Sequence, residues 1–170
     1  MSPEKTKQLY DKYPKLFVQK DWPMNRTSMC WNFECSDGWY DLIDRLCSEI
    51  QAHVDGENSN IIYKKKTGKL PQDAPDYPQI EATQVKEKFG GLRFYVNYCD
   101  EYVRGLISMA ETVSYGACET CGNPGKPNDE GWITTLCEPC RDAYEARWLR
   151  KNKETEGQLT IQMKDVTVAP

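Results

Sequence analysis

Apolar residues recur at three- and four-residue steps in two stretches of the chain. Tyr40, Ile43, Cys47, Ile50 and Val54, with Leu46 widening the stripe, predict an amphipathic helix running from a cap at Ser36 or Asp37 through about Val54. Val103, Leu106, Ile107, Ala110 and Val113 predict a second helix over about 101–115, capped by Asp100. Between them the period drops to two. Residues 79–88 and 92–98 read as strands, the second alternating Leu92, Phe94, Val96 and Tyr98 with Arg93, Tyr95 and Asn97. Gly90-Gly91 supplies the positive φ angles of a hairpin turn between the two strands.

Residues 3–12 predict a short helix, ended at Tyr13-Pro14 because the residue before a proline avoids helical dihedrals. Two stretches lack a period. Residues 17–33, rich in Trp, Pro and Asn, read as a loop whose aromatic rings pack over the core. Residues 55–79 carry Gly56, Asn58, Asn60, Gly68 and three prolines, and read as a long loop with the lysine-rich run 63–69 at its tip. The segment 159–168 alternates weakly, as an edge strand or a loose tail. The elements add up to an α+β fold, two amphipathic helices packed on a small antiparallel hairpin. Three parts follow: a core over 1–115, a cysteine-rich module over 116–153, and a tail over 154–170.

At 170 residues, 39% hydrophobic and 28% charged, the chain suits one globular domain with a small appendage. No run of 18 apolar residues is present, which argues against a membrane-spanning helix and a membrane partner. The charged N-terminal stretch does not read as a secretory signal, so a cytoplasmic setting is expected. The 22 Lys and Arg against 26 Asp and Glu leave a formal charge of −4, so any attraction for phosphate must come from a local patch.

In a reducing compartment clustered cysteines are metal ligands more often than disulfides. Cys118-x2-Cys121 and Cys137-x2-Cys140, fifteen residues apart, form a C-x2-C-x15-C-x2-C array. Two residues between thiols let both sulfurs of a turn reach one ion, and two such turns complete a tetrahedral shell around one structural Zn2+. Soft thiolates select zinc, and an all-cysteine shell leaves no coordination position for water. Gly122 after the first pair suits a tight knuckle, residues 131–136 read as a strand, and residues 141–151 read as a helix with Ala143, Tyr144 and Trp148 at helical spacing. That order points to a treble clef, with a plain zinc ribbon as the other arrangement. Cys30, Cys35, Cys47 and Cys99 show no ligand spacing. Cys47 falls on the apolar face of the first long helix, and His53, the one histidine, reads as a helix-end or surface residue.

An enzyme would need a tuned acid–base pair, a nucleophile or an open metal site. The nearest approach is Asp76 before a strand bearing Glu81, Gln84 and Lys86, the loose outline of a Mg2+-dependent nuclease. Asp37, Asp41 and Asp44 on one helix read as a solvated acidic face. A binding reading needs less: Lys86, Lys88, Arg93, Tyr95 and Arg104, with Phe89 and Tyr98, gather basic and aromatic groups around one hairpin and the next helix.

Four phrases occur in a fixed order: residues 39–47 (WYDLIDRLC), 85–95 (VKEKFGGLRFY), 102–111 (YVRGLISMAE), and the two cysteine pairs with Gly131-Trp132 between them. Over about residues 10–145 the chain resembles a group of uncharacterised phage and prophage proteins. The resemblance implies a phage origin and a host-cytoplasmic setting, and no activity. The expectation is a non-enzymatic, zinc-stabilised protein that binds a host protein, as an inhibitor of a bacterial defence system. The alternatives are a nucleotide or nucleic-acid binder using the Lys86–Arg104 region, and the nuclease.

Overall fold

The computed structural model describes residues 1–128 and 131–150. The segment 154–170, read above as an edge strand or tail, lies outside the described residues. Helix α1 (Pro3–Lys12) starts with proline in its first turn, where the missing N–H costs nothing, and buries Thr6 and Leu9. The chain leaves it at Tyr13, as expected from Pro14. Tyr10, Phe17 and Phe33 then stack at centroid separations of 5.2–5.4 Å, so the aromatic loop does cover the core.

Within that loop a short strand, β1 (Phe33–Glu34), pairs parallel with β2 (Ala82–Lys88), which pairs antiparallel with β3 (Gly91–Val96). The sheet is therefore mixed rather than antiparallel throughout. Two residues are too few to show a period, so nothing local announces β1. A bulge at Thr83 lets both Ala82 and Val85 face inward, beside Leu92 and Phe94 of β3.

The hairpin turn sits one residue earlier than its glycines suggest. Positive φ falls on Phe89 (54°) and Gly90 (76°), while Gly91 opens β3. Gly91 answers a different need, because a Cβ there would lie 2.7 Å from the Tyr115 hydroxyl and closer still to its ring. Phe89 is thus a bulky residue in left-handed backbone, a conformation costing about 1–2 kcal/mol, and it is 66% exposed. Phe89→Asn should stabilise the protein by about 1 kcal/mol and raise Tm by about 3 °C, because Asn-Gly suits this turn. Phe89→Ala, which leaves the strain in place, should show no such gain in the same thermal melts.

Helix α2 (Tyr40–Lys66) buries Ile43, Leu46, Cys47, Ile50 and Val54 as predicted. It runs 27 residues, twelve beyond Val54 and through about half of the stretch read as a loop. Once a helix is nucleated, each added residue gains a hydrogen bond, and one glycine costs only about 1 kcal/mol. The poor helix formers there find local uses. Ser59 Oγ donates to Asp55 O at 2.8 Å, and the Asn58 side chain both accepts from and donates to the Tyr77 backbone. Lys64, Lys65 and Lys66 occupy the last turn, where the helix dipole favours cations. Gly68 at φ 68° ends α2, with its N–H to Lys65 O and that of Lys69 to Lys64 O, the paired bonds of a glycine C-terminal cap. Ser36 and Asp37 do not cap α2: no side-chain cap bond forms, and Asp37 Oδ1 instead accepts the Ser2 N–H at 2.6 Å.

Helix α3 (Glu101–Ser114) is capped by Asp100, whose Oδ1 accepts the Val103 N–H at 2.9 Å. It packs on β3 and α2. Val113 points outward, and Ser114 is buried in its place. Ser114 Oγ accepts the Leu92 N–H at 2.8 Å and Glu111 Oε1 accepts the Phe94 N–H at 3.1 Å. Two polar side chains of α3 thereby satisfy the free edge of β3, which would otherwise present unpaired amides. Past α3, strands β4 (Lys126–Pro127) and β5 (Thr135–Leu136) pair antiparallel, and helix α4 occupies 138–150 among the described residues.

Candidate metal centre

The first cysteine pair lies on a turn held by backbone bonds. Gly122 N–H donates to Cys118 O and Cys118 N–H to Asn123 O, both at 2.8 Å. Gly122 has φ 80°, the left-handed geometry that closes such a knuckle around a sulfur. Strands β4 and β5 follow, and Cys137 then leads into α4, with Arg141 N–H bonded to Cys137 O at 2.9 Å. Cys140 falls in the first helical turn. Knuckle, hairpin and helix N-terminus occur in the order expected for a treble clef.

All four sulfurs lie within 4.8 Å of one another, and Cys121 and Cys137 are 3.5 Å apart. A tetrahedral shell with metal–sulfur bonds of about 2.3 Å places its sulfurs about 3.8 Å apart, so the cluster has the dimensions of one four-coordinate ion. Its electrostatics point the same way. Burial opposes ionisation of Cys118, but N–H groups of Cys137 and Cys121 and the Cys121 thiol hold it down to about 7. Hydrogen bonds with the Cys137 and Cys121 sulfurs push Cys140 up to about 12. One thiolate is easily formed while Cys121 and Cys140 resist ionising, a conflict that a divalent cation removes.

The module has almost no apolar interior. Its buried cluster is Cys118, Leu136 and Cys137, with Cys140 packed against it, separate from the main core. It is seated on that core by hydrogen bonds. Gly38 N–H donates to Glu119 O at 2.7 Å, Ser36 N–H to Glu119 Oε1 at 2.9 Å, the buried Trp39 indole to Ala117 O at 2.9 Å, and Thr135 Oγ1 to Gly90 O at 2.5 Å. A Cβ on Gly38 would lie 2.5 Å from Gly122 N and 2.6 Å from Glu119 O, closer still to Cys118 O. Burial raises the Glu119 carboxyl above its usual range against the pull of the Ser36 bond. Gly38, Trp39 and Glu119 carry no motif. Their partners are about eighty residues away in sequence, so no local spacing could expose them.

Among the described residues the four cysteines are the one group of three or more His, Cys, Asp or Glu side chains placed to share an ion. The residues of the nuclease outline have other partners: Asp76 pairs with Lys65 at 3.0 Å, Glu81 accepts from Gln19 at 2.8 Å, and Gln84 donates to Glu34 at 3.0 Å. Asp37 and Asp44 are likewise engaged, Asp44 by Lys12 and Tyr13 at 2.8 Å. Cys30, Cys35 and His53 share no ion site among the described residues. Cys30 Sγ bonds Thr27 O, while Cys35 is buried and its thiol pushed up to about 12 by desolvation. His53 sits within α2 rather than at its end, with Nε2 2.7 Å from Asp100 Oδ2 and its ring 4.6 Å from Tyr102. Although partial burial opposes it, Val103 N–H, the Tyr77 hydroxyl and His53 hold the Asp100 carboxyl down to about 2.

Of the predicted basic and aromatic group, Lys86, Lys88, Arg93 and Tyr95 share one face of the β2–β3 hairpin, since Lys86 pairs across from Arg93 and Gln84 across from Tyr95. Arg93 is anchored there by bonds to Leu92 O and the Tyr115 hydroxyl. Arg104 rides α3 and pairs with Glu101 at 2.8 Å. No helix among the described residues is long and apolar enough to cross a membrane. No protein-family model, no curated protein and no solved structure matches the chain.

Proposed function

We propose that the protein is a zinc-stapled binding protein that acts by covering a protein surface, with the metal as scaffold and the aromatic face of the four-cysteine module as contact. The observation that carries this reading is a cleft of about 900 Å³ between the β4–β5 loop and α4, lined by Pro127, Trp132, Tyr144, Trp148 and Leu149. Trp132 is 76% exposed and Trp148 56%. Ile133 of the module abuts Gly90 in the turn of the core hairpin. Exposed tryptophan and tyrosine in such density mark interface anchors rather than ordinary solvent-facing positions. Zinc fits the centre because four thiolates in a tetrahedron prefer a soft, closed-shell ion.

The resemblance to phage proteins supports a partner in a bacterial host cytoplasm, and a component of a defence system is the class of target proposed. The test is affinity capture from bacterial lysate with the native chain and with Trp132→Ala/Trp148→Ala. One stoichiometric partner should be recovered with the native protein, and at least about tenfold less with the double variant, because hot-spot tryptophans each contribute about 2 kcal/mol or more. Zinc content should be the same in both. Equal recovery by the two proteins would remove this face from the function.

A further inference from the structure

The outer face of the β2–β3 hairpin holds cations that form no ion pair among the described residues. Gln84, Lys86 and Lys88 of β2 stand with Arg93 and Tyr95 of β3 on the side opposite the buried Val85, Leu92 and Phe94. Lys12, Lys65 and Arg104 elsewhere are paired with Asp44, Asp76 and Glu101. Here the Arg26 guanidinium lies 4.7 Å over the Trp22 ring, Lys86 Nζ 5.9 Å over Tyr95, and Lys88 Nζ 5.4 Å over Phe89. Among the described residues none of these three forms an ion pair. Glu34, the register partner of Lys86, accepts from the Gln84 amide at 3.0 Å, and Lys86, Lys88 and Arg93 outnumber it on this face.

Beside these cations lies a second cleft, of about 490 Å³, between the 24–28 loop and Thr83, Gln84, Tyr95 and Val96. Its loop wall is fastened to the strand, with Ser28 N–H bonded to Thr83 O at 3.1 Å and Thr27 Oγ1 to the same oxygen at 3.3 Å. The β2 bulge falls at Thr83, where a bulge re-aims neighbouring side chains. The cleft thus combines an exposed aromatic ring, the side-chain amides of Asn25 and Gln84, and cations at its margin.

We infer that this face binds single-stranded nucleic acid, with one unpaired base stacked on Tyr95 and the adjoining phosphates held by Arg26, Lys86 and Lys88. Lys86 and Lys88, two residues apart on one side of a strand, project roughly 7 Å apart, a spacing for an extended chain of charges rather than a single anion. Cations poised over aromatic rings are the elements of sequence-tolerant single-strand binding: charge follows the backbone and a π-face takes whichever base arrives. Amide groups can donate to or accept from a base edge. A duplex would keep its bases stacked on each other and away from Tyr95. The face is independent of the aromatic cleft of the four-cysteine module and shares none of its lining residues.

Fluorescence anisotropy of a labelled twelve-residue oligothymidylate, titrated with the full zinc-loaded chain, tests the assignment. Two or three phosphate contacts give a log–log salt slope of about −0.7 each, so raising salt from 50 to 200 mM should weaken binding about 7- to 20-fold. Tyr95→Leu should weaken it roughly tenfold while Tyr95→Phe retains it, because stacking needs the ring and not the hydroxyl. Arg26→Ala/Lys86→Ala should lower the slope by about 1.4. Trp132→Ala/Trp148→Ala should bind the oligonucleotide like the native chain, which separates this site from the proposed protein-binding face. Thymidine monophosphate competing at the oligonucleotide's own affinity would show that a single nucleotide fills the site and would overturn the extended-strand assignment. No binding at 50 mM salt up to roughly 100 μM protein, equal affinity for a duplex, or unchanged binding by Tyr95→Leu would overturn it.

Discussion

Withdrawing the metal should unfold the four-cysteine module and lower the melting temperature of the chain by more than about 10 °C. Among the described residues its buried apolar cluster is only Cys118, Leu136 and Cys137, with Cys140 packed against it, which is too little to offset the entropy of ordering the module. Structural zinc contributes on the order of 10–16 kcal/mol in isolated finger peptides. Here part of that stability already comes from the docking bonds of Ser36, Gly38 and Trp39. Elemental analysis should find about one zinc per chain, and Cys118→Ser or Cys137→Ser should lose it. The main core has its own buried cluster, from Leu9 through Ala110, and should keep its secondary structure in chelator while proteases enter the module. A melting profile unaltered by excess chelator would show that the sulfurs stand together without needing an ion.

Gly38→Ala should be nearly as damaging, although residue 38 is neither a ligand nor a member of the main core. The atoms an alanine methyl would meet are backbone atoms of Cys118, Glu119 and Gly122, which cannot rotate aside as a side chain would. Either the knuckle lifts off the start of α2, losing the Gly38–Glu119 and Trp39–Ala117 bonds, or the knuckle deforms and its sulfurs leave tetrahedral positions. A loss of about 3 kcal/mol and a Tm fall of about 6–12 °C are expected, together with faster zinc loss to a competing chelator. Gly56→Ala is the control. Residue 56 lies inside α2 with open space around its Cα, so the same change there should stabilise by up to about 1 kcal/mol. If Gly38→Ala melted with the native protein and retained its metal, the module could not be docked through this contact.

The two glycines mark what can be read along the chain and what cannot. Neither differs from the other in composition or neighbours in any way that a pattern detects. Gly38 is constrained because a segment eighty residues later passes within contact distance, while Gly56 is a tolerated defect in a helix already propagating. The same distinction explains the extension of α2. Asn58 and Asn60 lower helix propensity on any local scale, yet the chain continues because Asn58 fastens the returning Tyr77 backbone. It also explains Val113 and Ser114. Helical spacing selects the valine for the core, but the β3 edge needs a hydroxyl at that place, and the serine is the one buried.

Features whose physics is local are legible along the chain. These are the cysteine spacing that lets two sulfurs of one turn reach an ion, the Asp100 cap, the two amphipathic stripes, and the alternation that turns Leu92 and Phe94 inward. Packing against distant segments sets the rest: β1 joins the sheet in parallel, Phe89 carries the turn, Asp76 and Glu81 find Lys65 and Gln19, and the module rests on Gly38. Each of those depends on which distant backbone arrives beside a residue, and side-chain periodicity carries no record of that arrival.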